Sequence, residues 1–462
     1  MRDLRRQALE SGKTVSRKAR SRNVSANVSA KSSKPNSRLN SPARSGATSQ
    51  NPSRHGSDDE DYLSDETALS ANSIDDLLNS DDVDAADDAW QSELQTYMEQ
   101  IADRKGSSTE GRAASLASYA HVVMSRFTKD DIEPRISELL PSMVRSIKQE
   151  TSEDESVAAL KALAVTIITL DSDTIYDDVA NLLKNVITHS EYVSLKTSAI
   201  HTLGTAAFFG GTSEEELEDL LTSFLEIIES DGQSANAHDE ASVVTAALEQ
   251  WGMLATALDD IQEATEAAIE AFVDQLDSSD TSVQIAAGEN IALMFEKSYT
   301  PVEDGEQVSD DDDEYNHETS NGERMVKRYD VYRRPDQLMH KLETLANIAD
   351  RSISKKDRKS LHTNFADIRN TVEKPTRGPR YSTAIDKETG KTYGGGRLKI
   401  EIPKVKLGRN IEIKLDRWWK LRRYGALRKV LAAGFQHHFD ENEAVSRCLP
   451  FSMSSKFWKK GY

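Results

Sequence analysis

From about residue 91 the apolar side chains recur at helical spacing. Leu116, Tyr119, Val123 and Phe127 stand at i, i+3, i+7 and i+11, and Ile136, Leu139, Leu140, Val144 and Ile147 resume one stripe after a break at Asp130-Asp131. Helix pairs of this kind are expected to start near Gly111, Ser152, Glu191, His238 and Ser279, spacings of 41, 39, 47 and 41 residues. A period of about 40–47 residues built from two or three helices is the mark of HEAT or armadillo arrays. Ser152-x-x-Glu155 and Thr212-x-x-Glu215 read as capping boxes ahead of apolar runs, and Gly210-Gly211 as a helix stop. Ala158-Ala159, Ala246-Ala247 and Ala286-Ala287 supply small residues where helices cross closely, while Trp251, Phe208 and Phe209 are assigned to the core.

The periodicity is interrupted in three places. The first ~90 residues are Ser-, Asn-, Arg- and then Asp-rich, too poor in apolar surface to offset chain entropy, and are expected to be disordered. Residues 301–323, with Pro301 and the acid run Asp310 to Glu314, read as an exposed loop. A helix pair then resumes from Pro335, with Leu338, Leu342, Leu345 and Ile348 on one face. Residues 373–396 are rich in Pro and Gly. After them Leu398–Ile402 and Ile411–Leu415 alternate apolar and polar around Gly408-Arg409-Asn410, predicting a hairpin, and a helix from about Asp416 to Gln436 follows. The expected fold is mainly α: an armadillo/HEAT-like helical solenoid with a disordered N-terminal tail and a small basic C-terminal module of short β-hairpin plus helix. Its parts are a tail at 1–90, an array at 91–300, an acidic loop at 301–323, a continuing helix pair at 324–372 and the basic module at 373–462.

Composition adds the electrostatics. The 462 residues are 37% hydrophobic and 29% charged, against about 45–50% and 25% for ordinary globular chains, consistent with an unpacked portion. No run approaches the ~18 apolar residues of a membrane span, and the N-terminus lacks a signal-peptide core, so a soluble intracellular protein is expected, with no membrane partner. The single cysteine, Cys448, excludes an internal disulfide and a Cys-based zinc cluster. The net charge of −20 conceals a polarised distribution. Residues 1–56 carry 13 Lys/Arg against 2 Asp/Glu, residues 57–110 carry 2 against 17, residues 111–350 carry 16 against 48, and residues 351–462 carry 27 against 11.

Catalytic patterns are missing. Gly-Lys-Thr triplets occur at Gly12 and Gly390, but Gln7 and Ile385 stand where a phosphate-binding loop needs glycine. There is no His-Glu-x-x-His, no Gly-x-Ser-x-Gly and no dinucleotide fingerprint. His437 and His438 are adjacent, about 100° apart on a helix, which is poor geometry for one metal, and Cys448 has no His partner in its segment. No catalytic, metal-binding or cofactor-binding residue is assigned, and no cofactor or small-molecule substrate is expected.

Two basic–aromatic stretches carry the candidate chemistry. Lys355, Lys356, Arg358 and Lys359 lead into a helix with Phe365. Residues 397–429 hold 12 basic and 3 acidic residues, among them Arg417, Trp418, Trp419, Lys420, Arg422, Arg423, Arg428 and Lys429. Cations attract phosphates without regard to sequence, and indole and guanidinium planes stack on unpaired bases. Trp418 or Trp419 could equally anchor this helix on the solenoid. If the helix is an exposed RNA contact, changing Lys420, Arg422 and Arg423 to Glu is expected to abolish binding at little cost in stability, about 0.5 kcal/mol each. Arg17, Lys18, Arg20 and Arg22 form an import-like cluster, and Ser57, Ser64 and Ser80 precede acidic residues in the manner of acid-directed phosphorylation sites.

At these residues the chain resembles the interferon-related developmental regulator family. The resemblance rests on the array opening with the Arg112-to-Phe127 helix and on Ser-Lys-Lys-Asp-Arg-Lys-x(5)-Phe-x-Asp-Ile from Ser354 to Ile368. The terminal block adds Trp418, Tyr424, Leu427-x-x-Val430-Leu431, Gly434, Gln436-His437-His438 and Asn442-Glu443. It spans roughly residues 90–455 and implies a regulator, not an enzyme. The implied roles are binding to translationally inactive ribosomes, and nuclear co-regulation of transcription with histone-deacetylase complexes. In the ribosome role a basic helix beyond that block enters the tRNA/mRNA path. Here Phe457-Trp458-Lys459-Lys460 leads only to Tyr462, so that helix is expected to be absent or a stub. The first expectation is therefore a cytoplasmic, non-enzymatic regulator whose basic module contacts rRNA while the array scaffolds protein partners. The alternative is a nuclear scaffold that binds partners through the solenoid face.

Overall fold

A computed structural model of the chain describes residues 89–302, 324–349, 352–380, 399–404 and 409–454, all within one compact unit, Glu66–Tyr462. The import-like cluster, the three candidate phosphoserines, most of the acidic loop and the Phe457–Lys460 run lie outside the described residues.

Among the described residues twelve helices pair in sequence. They are α1 (Ala89–Ala102), α2 (Thr109–Ser125), α3 (Ile136–Gln149), α4 (Glu153–Leu170), α5 (Ile175–His189), α6 (Val193–Phe209), α7 (Glu214–Glu229), α8 (Ala241–Ala255), α9 (Gln262–Gln275), α10 (Thr281–Lys297), α11 (Pro335–Ala346) and α12 (Lys355–Glu373). Each odd helix packs on the even helix that follows it, and the even helices stack in one row, α2 on α4, then α6, α8, α10 and α12. The residue patterns account for this layering. In α4 every side chain from Ala158 to Leu170 except Lys161 is buried, as a helix flanked on several sides requires. In α7 Leu217, Leu220, Leu221, Phe224, Leu225, Ile227 and Ile228 are buried, while Glu214, Glu215, Glu218, Asp219, Glu226 and Glu229 face out. The even row is the apolar core, and the odd row is its outer wall, most acidic at α7 and α9.

The expected repeat starts fall within three residues of the starts of α2, α4, α6, α8 and α10. The period holds, but its phase differs: each start opens the second helix of a pair, because an apolar run identifies the helix buried on more sides. The capping boxes also shift. Ser213, not Thr212, caps α7, accepting from Glu216 N while the Glu216 carboxylate accepts from Ser213 N. Ser152 caps α4 without a side-chain hydrogen bond. Glu155 instead turns inward, where its carboxylate accepts from Arg112 at 2.7 and 2.8 Å, Arg104 at 3.0 Å and Ser146 at 2.8 Å. Lys196 is 1% exposed and donates from Nζ to the carbonyls of Ile187 and Thr188 at the end of α5, and to Ala235 O. A cation there matches the negative end of the α5 dipole.

Between α10 and α11 the chain forms a small antiparallel pair that the pattern did not announce, β1 (Tyr299–Pro301) with β2 (Met325–Lys327). The C-terminal hairpin is present as β3 (Lys399–Lys404) against β4 (Arg409–Lys414). Arg409 and Asn410, expected in the turn, belong to the strand. A third strand, β5 (Phe451–Ser454), pairs with β4, giving the order β3-β4-β5. The long helix expected to Gln436 ends sooner: α13 (Trp418–Leu431) is followed by a 3-10 turn at Ala432–Gly434, then α14 (Phe435–Glu441) and α15 (Glu443–Cys448). Ala432, at φ 45°, turns the chain there.

Candidate nucleic-acid interface

The first basic stretch is a helix start. Ser354 caps α12, accepting from Asp357 N at 3.1 Å and donating to the Asp357 carboxylate at 2.6 Å. The Ser-Lys-Lys-Asp motif thus has a local structural reason. Lys355, Lys356 and Lys359 are exposed and Arg358 is half-buried. Further along, Phe365 and Ile368 are fully buried and close over Gly288 of α10, where an added Cβ would meet the Phe365 ring at 2.9 Å. The apolar side of α12 is fixed on the array, and its first turn presents cations. Lys355 and Lys356 occupy the positive end of a helix dipole, which is electrostatically unfavourable.

The second stretch has the opposite fate. Trp418 is 2% exposed, and its Nε1 donates to Thr371 Oγ1 on α12 at 2.7 Å. The first two amides of α13, Trp418 N and Trp419 N, donate to the carboxylate of Glu296 on α10 at 3.0 and 3.1 Å. A side chain 122 residues away caps this helix, and burial raises the Glu296 carboxyl above its ordinary range. Arg422, 8% exposed, donates to Ala286 O and Asn290 Oδ1 at 2.7 Å each and pairs with Glu289 at 2.8 Å. Gly252 of α8 makes room for it: a Cβ there would lie 2.2 Å from Asn290 Oδ1 and 3.0 Å from Arg422 Nε. Arg423 donates to Thr256 Oγ1 and Thr256 O and stacks between the rings of Phe208 and Trp419, centroids 5.3 and 4.9 Å away. Lys420 pairs with Asp416, Lys429 with Glu249, and Arg428 donates to Ala432 O. Arg417 is half-buried at the cap position.

Trp418 and Arg422 are therefore interior groups, and Arg423 is largely engaged within the protein. Reversing the charges of Lys420, Arg422 and Arg423 would place carboxylates against Glu289 and Asn290, so that change reports on folding rather than on RNA contact. Nor do the two stretches converge. Trp418 meets α12 at Thr371, sixteen residues along the helix from Lys355, about 24 Å.

The C-terminal module touches every helix of the even row. His438 Nε2 donates to Val123 O of α2 at 2.8 Å, and Asn442 Nδ2 to Ile168 O of α4 at 2.9 Å. Arg423 lies on Phe208 of α6, Lys429 on Glu249 of α8, Arg422 on α10 and Trp418 on α12. At the α2 end a Cβ on Gly434 would stand 1.8 Å from Met124 O. The residues that receive the module (Glu249, Thr256, Glu289, Asn290, Glu296, Thr371) carry no local signal, since each is one polar position in an ordinary helix or, for Thr256, just after one. His201, also beside Glu249, accepts from Gln250 Nε2 at Nδ1 and is pushed down to about 3, first by burial and then by Lys429. Cys448 is buried, its thiol pushed up to about 11 by burial. Among the described residues no group of three or more His, Cys, Asp or Glu is arranged to hold a metal, and no helix is long and apolar enough to cross a membrane.

Known proteins resemble this chain over most of its length. A family model described as interferon-related developmental regulator matches residues 53–373, well over half of the chain. An uncharacterised protein of Schizosaccharomyces pombe is 25% identical over 367 residues, 79% of this chain and 75% of its own. Interferon-related developmental regulator 1 of Sus scrofa is 22% identical over 351 residues, covering 73% of this chain and 66% of its own. Interferon-related developmental regulator 2 of Mus musculus is 22% identical over 399 residues, covering 83% and 78%.

Proposed function

The chain belongs to the interferon-related developmental regulator family, and from that premise we propose that it is a non-enzymatic, cytoplasmic regulator that binds ribosomes through rRNA. The observation that carries this reading is the start of α12, where Lys355, Lys356 and Lys359 are exposed close together, after a stretch from 111 to 350 that carries 16 Lys/Arg against 48 Asp/Glu. The contact surface is narrower than the sequence suggests, because α13 is directed at the protein itself. Lysines at a helix N-terminus reduce helix stability, and a phosphate partner offsets that cost. Steering by these charges makes binding salt-dependent, and removing one phosphate-binding cation lowers the slope of log K against log salt by about 0.7–0.9.

Sucrose-gradient sedimentation of the tagged full-length chain tests it. The wild type should travel with ribosomes at low salt and leave them at high salt, while a variant with Lys355→Glu, Lys356→Glu and Lys359→Glu stays at the top. A wild type that remains at the top at low salt, in growing and starved cells alike, ends the ribosome reading. The competing reading, a nuclear co-regulator that receives protein partners on the array, draws support from α7 and α9, whose outer face carries acidic side chains and no Lys or Arg. Disappearance of a nuclear signal on deleting residues 1–56 would favour it.

A further inference from the structure

The C-terminal module is held in an unusual way for a buried element. Its seat on the even row is lined by hydrogen-bond acceptors: the carboxylates of Glu249, Glu289 and Glu296, the Asn290 amide oxygen, and the carbonyls of Ala286 and Thr256. The donors filling it are guanidinium, ammonium and indole-bearing residues of α13. These are the groups that otherwise grip phosphates and stack on bases. The fit is also incomplete. Arg422 Nε is buried there without a hydrogen-bond partner. Ala432, a non-glycine residue, holds positive φ at 45° just after α13. A seat built on buried charged pairs favours specificity over tightness, since such pairs add little net stability.

We propose that α13 is a releasable strap: it leaves the even row as a unit and presents its Trp419, Arg422 and Arg423 face to unpaired RNA, and in the closed form the carboxylates of Glu289 on Arg422, Glu249 on Lys429 and Glu296 on the first two amides of the helix are stand-ins for phosphates. The RNA half of this inference rests on the ribosome reading above; the release half does not. The basic–aromatic face is then a cryptic site, covered in the described form and available only on opening. The exposed lysines of α12 remain a separate surface, about 24 Å from Trp418 along the helix.

Two full-length variants open the strap by different means. Glu249→Gln with Glu289→Gln removes the stand-in charges, and Gly252→Ala drives a methyl into the space between Asn290 and Arg422. Glu226→Gln with Glu229→Gln on the outer wall makes the same change in net charge away from the seat, and serves as control. Hydrogen exchange of the wild type should show α13 amides exchanging about 100-fold or more faster than those of α4 and α8. Both opening variants should raise this ratio further. They should also bind labelled single-stranded RNA about 10-fold more tightly, with the control unchanged. If α13 exchanges only together with α4 and α8, in the wild type and in both variants, release is refuted. If α13 exchange accelerates while RNA affinity does not rise, the RNA face is refuted and release stands. Should the opening variants bind RNA more tightly although the wild type fails to sediment with ribosomes, the cryptic site is supported and the ribosome reading alone falls.

Discussion

Two segments of this chain are alike in kind, residues 354–365 and 416–424. Each mixes Lys and Arg with aromatic residues, and each opens a helix. One leaves Lys355, Lys356 and Lys359 exposed. The other ends with Trp418 and Arg422 in the interior. The difference lies in what stands opposite. The cations at the start of α12 are exposed, and its aromatic, Phe365, is the part that packs, over Gly288. For α13 the array offers Glu289, Asn290, Glu296 and Thr371, acceptors that are costly to bury without donors. A basic run is therefore drawn inside when the surface facing it is already short of hydrogen-bond donors.

The sharpest test of this contrast is Trp418→Ala. For a core anchor that also satisfies Thr371, the cost should be about 3–5 kcal/mol, read in thermal melts. Weaker RNA binding at unchanged stability would instead make Trp418 a stacking residue. Next is Arg422→Leu, which leaves the Glu289 and Asn290 acceptors without their donor and should cost about 3 kcal/mol in denaturant unfolding. Adding Glu289→Leu to it should recover part of that stability, the mark of a penalty for an unpaired charge.

A smaller effect comes from acid. Burial holds His201 at about 3 and lowers His438 as well, so the folded chain keeps the His201 ring neutral over a range where the unfolded chain, with a pKa of about 6.5, protonates it. The unfolded state then binds more protons, and the His contribution to stability is present at pH 7 and falls as pH drops toward 4. For His201 this should amount to about 1–2 kcal/mol by pH 5. Asp367, pushed up to about 6 by burial, acts in the opposite sense, its contribution fading as pH rises through the interval up to 6. Comparing melts of the wild type and His201→Gln across pH 5–7 isolates the histidine, whose variant should show the flatter profile.

The smallest change in stability belongs to α12. Lys355→Glu with Lys356→Glu replaces cations by anions at a helix N-terminus and should leave stability within about 0.5 kcal/mol, slightly raised, while ribosome sedimentation is abolished. A large destabilisation would show that these lysines serve the fold instead.

Helical type, repeat period and the identity of the core were legible in the chain because each depends on neighbours three, four or about forty residues away. Leu116, Tyr119 and Val123 are buried as their spacing implies, and so are Trp251 and Phe209. The candidate site was legible only by halves. The lysines after Ser354 are exposed because a helix cap sets them there, a matter of four adjacent residues. The fate of Arg422 and Arg423 depended on Asn290 and Thr256, 132 and 167 residues earlier, which look like any polar positions in a helix.

By itself, the sequence determined that this protein is a repeating array of helices with an acidic middle and a basic end, since apolar periodicity and charge are properties of the chain. Tertiary structure decided which helix of each pair is the inner one, that Glu155 and Lys196 point inward, and that β5 completes the terminal sheet. It also decided that the C-terminal module lies across all six inner helices, with the donors of α13 spent on their acceptors. Those outcomes rest on hydrogen-bond partners brought together only when the array closes, and spacing along the chain carries no record of them.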